Sequence, residues 1–328
     1  MKQAVIVIPR GSTNLSSVTG SYEILTRANR YWQRCGNPSR LDICIAGYDA
    51  GVPLHEGLFT LHPTDIRKIV YADLVLIPSL SYDYDTVLQE NDDLIGWIRC
   101  QYKQGAEIAS ICTGAFLLAA TGILEGRTCS THWNAASDFR RLFPGIDLQI
   151  DQLVTANKGI YTNGGAYSFL NLILFLVEKY FDRATAIYCS KVFQIDIERS
   201  VQSPFAIFET QKQHGDELIA EAQRYIEENL NQRISFERLA GQLATSRRNF
   251  DRRFIRATGN TPVEYLQRVK IEVAKQALEK GRKTLYEIME EIGYTDDKAF
   301  REVFRKIVGM SPLGYRSRFH KESVDQLS

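Results

Sequence analysis

The sequence predicts two parts of different class: an α/β layer built on a doubly wound parallel sheet, then an all-α part holding two helix-turn-helix units. Three observations predict this. Short β-branched runs alternate with helical patterns through the first two hundred residues, every segment from about residue 216 onward reads as helix, and a pattern within that helical part occurs twice.

In the first part "AVIVIP" (4–9), "LDICIAG" (41–47), "DLVLIPS" (73–79) and "EIASIC" (107–112) are continuous apolar runs. Strands buried on both faces of a parallel sheet read this way, whereas a half-exposed strand alternates. Helical stretches near 19–34, 86–103 and 113–121 intervene, so the strands connect by crossovers. Ligands of such sheets bind beyond the carboxyl ends of the strands. Here those ends are Pro9 to Asn14, Pro78 to Ser81, Cys112 with Thr113, and His132 with Trp133 after "RTCSTHW".

From residue 216 the helical segments carry clear start and stop signals. Thr261 with Glu264 and Thr284 with Glu287 have the capping-box spacing, in which hydroxyl and carboxylate satisfy free backbone N–H groups. Pro262 sits at a permitted first helical position, and Gly259, Gly281 and Gly309 stand where helices should end. Between the parts, residues 194–216 lack a strong period and read as connector. The divisions are therefore 1–195 for the α/β part, 196–215 for the connector, 216–320 for the helical part and 321–328 for a tail.

Phe250, Phe254, Gly259, Pro262 and Tyr265 recur in register as Phe300, Phe304, Gly309, Pro312 and Tyr315. In each copy a short helix, a tight turn and a second helix precede the glycine, which places the helix-turn-helix units at about 235–256 and 284–306. The aromatic pairs at i and i+4 form the buried face of each second helix. Subtracting that face leaves Arg247, Arg248, Asp251 and Arg252 outward on the first, and Asp297, Lys298, Arg301, Glu302 and Arg305 on the second. Such a face suits a major groove: arginine bonds guanine bidentately, carboxylates accept from cytosine, and spare cations neutralise phosphates. The plainer alternative is two amphipathic helices with solvated basic faces.

Composition bounds the remaining possibilities. At 328 residues the chain exceeds the roughly 100 to 200 residues of one domain, and 44% hydrophobic with 24% charged residues is an ordinary soluble composition. The apolar run "FLNLILFLV" (169–177) falls well short of the roughly 20 residues needed to span a bilayer, and no basic-then-apolar leader opens the sequence. A cytoplasmic location without membrane partners is expected. Six cysteines (35, 44, 100, 112, 129 and 189) form no C-x-x-C pair and no cluster of metal-ligand spacing, so neither a metal nor a disulfide framework nor a cofactor is expected. Residues 1–215 hold 19 Lys and Arg against 21 Asp and Glu, and 216–328 hold 21 against 18, giving −2 and +3 of the net +1. That excess is too weak to argue for nucleic acid by itself, so the case rests on local clustering.

"LAGQLATSRRNFDRRFIRATGNTP" and "IMEEIGYTDDKAFREVFRKIVGMSPLGYR" resemble the DNA-binding domain of AraC/XylS-family transcription regulators, over residues 217–320. The resemblance implies seven helices, two helix-turn-helix units joined by the helix of 262–280, and double-stranded operator DNA as partner, read in successive major grooves about 34 Å apart. Met289 and Glu290 depart from the family, which usually has an alanine after Ile288. Asp296 and Asp297 give the second recognition helix an acidic start, which implies weaker or more selective contact.

Cys112 lies where a strand turns into a helix, in "SICTGAF", and three readings stay open for it: nucleophile, pocket residue or core. "ASICTGAFLLAATGILEGRTCSTHW", supported by "GSYEIL", "LIPS" and "IYTNGGAYSFLNLILFLVE", resembles the PfpI-like branch of the class I glutamine amidotransferase-like superfamily, over about residues 3–190. It is similar above all to the sensor domains which that branch contributes to AraC-type regulators. The resemblance implies a flavodoxin-like fold, Cys112 at a nucleophile elbow, Glu23 as the carboxyl facing the thiol and His132 after the next strand. From the residues alone, Glu23 could equally be a surface helix residue and His132 a satisfied core histidine.

Ser79 and Leu80 stand where the enzymes commonly have glycines, and Thr113 replaces the histidine usual after the cysteine in proteases of this branch. Both changes point to a binding pocket and not to a hydrolytic centre, with Cys112, Glu23 and His132 as vestiges of catalysis. The expectation is a DNA-binding transcription regulator, dimeric, responding to a small effector such as an amino acid or quaternary amine. Glu23, Cys112, Thr113, His132 and Trp133 would line the pocket, with Asn14 and Asn163. The alternatives are a cysteine-dependent hydrolase or glyoxalase-like enzyme, and a thiol redox sensor, each using Cys112.

Overall fold

A computed structural model describes residues 1–11, 13–80, 83–197, 201–208, 210–212 and 214–320. The chain divides into two compact units, Met1–Gln202 and Ser203–Ser328. In the first, β1 (Lys2–Ile8), α1 (Leu15–Arg34) and β2 (Leu41–Gly47) lead to a hairpin of β3 (Val52–Leu54) and β4 (Phe59–Leu61). There follow β5 (Thr64–Asp65), β6 (Leu74–Ile77), α2 (Tyr84–Glu90), α3 (Asp92–Lys103), β7 (Glu107–Ile111) and α4 (Ala115–Ala120). The unit closes with β8 (Thr128–Cys129), α5 (Ala136–Leu142), β9 (Asp147–Leu148), β10 (Val154–Asn157), β11 (Ile160–Asn163), α6 (Phe169–Tyr180) and α7 (Arg183–Phe193).

Seven strands form the main sheet in the order β10-β11-β7-β6-β1-β2-β5, all parallel except the β10–β11 pair. The continuous apolar runs have a direct cause in its two covered faces. Ala4, Ile6 and Ile8 of β1 join a core with α1, α6 and α7, while Val5 and Val7 join another with Leu94, Ile98 and Phe116. Consecutive residues of a strand point to opposite faces, so both sets must be apolar when both faces are buried. No helix among the described residues is long and apolar enough to cross a membrane.

Three local expectations change. The helix expected near 86–103 is two, α2 and α3, because Asn91 leaves the helical path and its amide bonds the backbone of Arg10 on both sides, accepting at 2.7 Å and donating at 3.1 Å. The first helix begins at Leu15, where the Asn14 side chain accepts from the Ser17 N–H, a cap that satisfies one of the unpaired first-turn donors. The fourth apolar run ends as a strand at Ile111, one residue before the cysteine.

Among its described residues the second unit holds seven α-helices: α8 (Glu217–Glu228), α9 (Phe236–Gln242), α10 (Arg247–Thr258), α11 (Pro262–Lys280), α12 (Leu285–Glu291), α13 (Asp297–Val308) and α14 (Pro312–Phe319). Both capping boxes form, and Gly259, Gly281 and Gly309 close their helices at φ of 70°, 68° and 79°. In that left-handed region a side chain would add strain. Two separate cores result, one around Phe250, Phe254 and Tyr265, the other around Phe300, Phe304 and Tyr315. Their geometry repeats. Ring centroids of Phe250–Phe254 and Phe300–Phe304 lie 5.6 and 5.7 Å apart, and Phe254–Tyr265 and Phe304–Tyr315 are both edge-to-face at 74° and 76°.

Ahead of α8 the chain is packed on this unit, with Phe205 edge-on to Phe319 and Phe208 edge-on to Tyr265. The Phe208 N–H donates to Glu272 on α11, whose carboxylate also pairs with Lys275 at 2.9 Å, and Lys275 reaches back to the Ala206 carbonyl. The stretch that lacks periodicity in the sequence thus touches both cores through its aromatic residues.

Candidate functional sites: the Cys112 elbow and the recognition helices

At the end of β7 the backbone turns sharply, and Cys112 takes a φ of 54°. A non-glycine residue in this region costs of order 1 kcal/mol or more, so the surroundings must hold it there. Two hydrogen bonds hold it directly, and a third steadies one of its partners. The Cys112 N–H donates to Asn163 Oδ1 at 3.2 Å, the Thr131 hydroxyl donates to the Cys112 carbonyl at 2.9 Å, and Asn163 Nδ2 donates onward to the Gly164 carbonyl. Gly114 completes the turn by close approach, since a Cβ there would lie 2.6 Å from the Pro78 carbonyl oxygen and 2.7 Å from that of Ile77.

Thr113 clasps the end of β6. Its hydroxyl accepts from the Leu80 N–H and donates to the Leu80 carbonyl, each at 2.8 Å, and lies 2.9 Å from Ser79 Oγ. The Ser79 N–H donates to the Ser17 hydroxyl at 3.1 Å, and the Asn14 N–H donates to the Ser79 carbonyl. The Ser79 and Leu80 N–H groups are therefore occupied within the protein, where an acyl-transfer centre would aim free donors at a developing oxyanion.

Cys112 and Thr113 are each only 4% exposed. Burial pushes the Cys112 thiol up, outweighing the Ser79 and Thr113 hydroxyls and the Thr113 and His132 backbone N–H groups set against the sulfur. A thiol shifted in this direction is protonated at neutral pH, and the thiolate is the nucleophilic form.

The structure brings Cys112, Thr113 and Asn163 together with Ser79, which the sequence marks as a departure from the enzymes, and adds Ser17 and Thr131, which the sequence does not single out. It does not bring Glu23 to the sulfur. Glu23 is exposed on α1, because Ser21, Ile24 and Leu25 face the core and a residue two places from Ser21 falls on the far side of a helix with 3.6 residues per turn. Asn14 spends its side chain on the α1 cap. His132 meets the elbow through its backbone, while its Nδ1 accepts from the Asn134 N–H at 3.1 Å, capping the short turn Trp133–Ala135. Burial lowers the His132 pKa, which favours the neutral ring that this bond needs. Trp133 is half-buried and tilted against His132 at 5.2 Å. Ser81, at the end of the β6 loop, lies outside the described residues.

In the second unit, α10 and α13 present the outward residues. Arg248 and Arg252 on α10 and Lys298, Glu302 and Arg305 on α13 are exposed. Three of the outward arginines are engaged, Arg252 by donating to Asn249 Oδ1 at 2.9 Å and the other two in ion pairs. Arg247 Nε donates to both carboxylate oxygens of Asp251 at 2.8 and 2.9 Å, and Arg301 Nε does the same to Asp297 at 2.8 and 2.7 Å. Asp296 is the cap of α13, accepting from the Lys298 and Ala299 N–H groups. The acidic start of that helix is thus a stop for its unpaired backbone donors. Lys306 shares a surface groove with Asp297, Lys298, Arg301, Glu302 and Arg305, and its spacing from Glu302 is the sequence signal that would have added it.

The DJ-1/PfpI family matches residues 72–193 and a helix-turn-helix domain matches residues 239–318, together more than half of the chain. The chain is an AraC-type helix-turn-helix protein with a DJ-1/PfpI domain. This AraC-type chain is 23% identical over 227 residues to the HTH-type transcriptional regulator GbdR of Pseudomonas aeruginosa, a match taking in 68% of the chain and 60% of GbdR. It is 25% identical over 224 residues to the HTH-type transcriptional regulator GlxA of Rhizobium meliloti, over 66% of the chain and 67% of GlxA. An isonitrile hydratase of Pseudomonas putida matches a shorter stretch, 27% identical over 119 residues, 36% of the chain and 49% of that enzyme. Among solved structures, a protein of Vibrio parahaemolyticus described as a transcriptional regulator shares the fold with a TM-score of 0.53 and 24% identity, covering 58% of this chain and 98% of that one.

Proposed function

We propose that the protein is a sequence-specific DNA-binding transcription regulator whose α/β unit binds a small-molecule effector. The observation that carries this reading is the duplicated helix-turn-helix: two cores of matching ring geometry, each supporting a helix whose outer face is charged and exposed. Nothing in the packing of either unit requires Arg248 or Arg305 on those faces. Both suit hydrogen bonding to base edges or pairing with phosphate.

The α/β unit serves as a sensor on this reading and not as an enzyme. The spent donors at Ser79 and Leu80 and the raised Cys112 thiol disfavour both hydrolysis and thiol redox sensing. GbdR and GlxA, whose matches span both parts of this chain, are transcription regulators, which agrees. Dimerisation would let two copies engage one operator, and the exposed Tyr167 and Phe175 beside and on α6 are suited to it.

The test is binding to a duplex selected from random sequence. Affinity should fall steeply with salt, and Arg248→Ala should cost about 1 to 3 kcal/mol on the selected duplex with preference lost at particular base pairs. Loss of equal size on selected and scrambled duplexes would reduce Arg248 to a phosphate contact. No binding to any selected duplex would end the proposal.

A further inference from the structure

Gln202, the last residue of the first unit, is 1% exposed and its side chain is a plug. Its Nε2 donates to the carbonyls of Thr131 (3.0 Å) and Ile150 and faces Ser130 Oγ at 3.5 Å. Its Oε1 is buried without a hydrogen-bond partner among the described residues. The amide lies on Gly164, where a Cβ would stand 2.0 Å from Nε2 and 2.8 Å from Oε1, so the glycine leaves a slot that the amide fills.

The slot adjoins the elbow. Thr131, whose carbonyl receives the plug, holds the Cys112 carbonyl with its hydroxyl, and Gly164, which floors the slot, accepts at its carbonyl from the Asn163 amide that holds the Cys112 N–H. Chemically the slot is a set of acceptors: two carbonyls and a hydroxyl converge on one nitrogen. A carboxamide brings two N–H donors to these three oxygens and an acceptor that finds nothing. A primary ammonium would bring three donors and no orphan oxygen, though it must give up more hydration on entry. A quaternary ammonium has no N–H and would leave all three acceptors unpaired.

We infer that this slot is the effector site, that it takes a small molecule through a nitrogen bearing two or three N–H donors, and that Gln202 is its built-in competitor. The inference rests on the regulator reading for its purpose, and its site stands on the geometry alone. Effector and plug cannot share the slot, so binding expels Gln202 and frees the chain between it and Phe205, three residues on, where the packing onto the second unit begins. Ligand binding then shifts the population in which this segment is held, and it does so only through the difference in slot occupancy between the two states.

Hydrogen exchange of the full-length protein tests it, with methylammonium chloride, acetamide and tetramethylammonium chloride as probes against sodium chloride at equal ionic strength. Faster exchange over residues 201–208 with methylammonium, with acetamide or with both supports the slot, and the difference between the two says whether charge is wanted. An equal response to tetramethylammonium, or no response to any probe at saturating concentration, overturns it. Gln202→Ala removes a group of the size of acetamide, so in that variant the segment should already exchange fast and the first two probes should raise the thermal midpoint. Should that variant fail to fold, Gly164→Ala expels the plug by steric conflict and should speed exchange of the same segment while the probes no longer bind. None of these readouts involves DNA. A protein that answers the probes and binds no selected duplex would keep the slot and lose the regulator.

Discussion

Thr113→Val tests the clasp at the elbow with little change in shape. Valine replaces the hydroxyl with a methyl, so the Leu80 N–H and carbonyl lose partners held at 2.8 Å and Ser79 Oγ loses a third contact at 2.9 Å. All of this lies in the interior, where Leu80 is 6% and Thr113 4% exposed. Each hydrogen bond between neutral groups contributes about 1 kcal/mol net, and a buried group left unpaired costs about 1 to 3 kcal/mol, so the loss should be about 2 to 4 kcal/mol. The assay is urea unfolding followed by tryptophan fluorescence. All three tryptophans (Trp32, Trp97 and Trp133) fall within residues 1–202, so the signal reports the first unit alone. With a slope of about 1 to 3 kcal/mol per molar urea the midpoint should drop by about 0.7 M or more. Thr113→Ser keeps the hydroxyl and should stay within about 1.5 kcal/mol of the parent, the cost of a lost buried methyl. A Val variant within about 0.5 kcal/mol of the parent, or a Ser variant as damaged as the Val one, would refute the clasp and leave methyl packing as the role of Thr113.

Two further outcomes follow from the same structure. Glu272→Ala leaves the Lys275 ammonium, whose side chain is 5% exposed, without its carboxylate and with the Ala206 carbonyl and the face of the Tyr315 ring; breaking a buried pair in this way should cost the second unit about 3 to 5 kcal/mol, seen in the helical circular dichroism transition, and a loss below about 1 kcal/mol would mean that water reaches the lysine. His132 has a folded pKa below its ordinary 6.5 because burial disfavours the charged ring. The unfolded chain therefore binds the proton first as pH falls, so the stability of the first unit should decline below about pH 6.5 and level off once the folded state protonates too. That component should vanish in His132→Gln, and an unchanged pH profile would show that His132 is not its source.

The helical unit was legible because each signal in it is local. Capping boxes, terminal glycines and the Phe-Phe-Gly-Pro-Tyr repeat are satisfied within a turn or two of themselves, so Thr261, Thr284 and Gly309 do in the fold what their spacing implies. The parallel strands were legible for a related reason, since burial on both faces leaves an unbroken apolar run. The elbow was legible only at its apex. Its clasp joins residues from five separate segments, Ser17, Ser79, Thr113, Thr131 and Asn163; the sequence marks Ser79, Thr113 and Asn163 without their contacts, and Ser17 and Thr131 not at all. Glu23 failed for the opposite reason. Its placement at the thiol came from family resemblance, while the helical phase set by Ser21, Ile24 and Leu25 turns it outward. Gln202 carried no signal at all, since a single glutamine in an aperiodic stretch acquires meaning only from the Gly164 slot opposite it.

The repeat also shows what duplication kept and what it released. Positions 250, 254 and 265 match 300, 304 and 315 in residue type and in ring geometry, because each core must be filled by the same shapes. Positions 247 and 251 match 297 and 301 in geometry but with the charges exchanged: Arg247 leads Asp251 on α10, whereas Asp297 leads Arg301 on α13. An i, i+4 pair forms in either order, so this exchange costs the helices little. It moves the guanidinium by one turn, about 6 Å along the axis, and puts a carboxylate in its former place. A duplex that satisfies the donors of one helix would meet an acceptor at the same depth on the other. On the proposed function the two units therefore read unlike base sequences from one repeated scaffold, and an operator built as a direct repeat of a single half-site would fit only one of them.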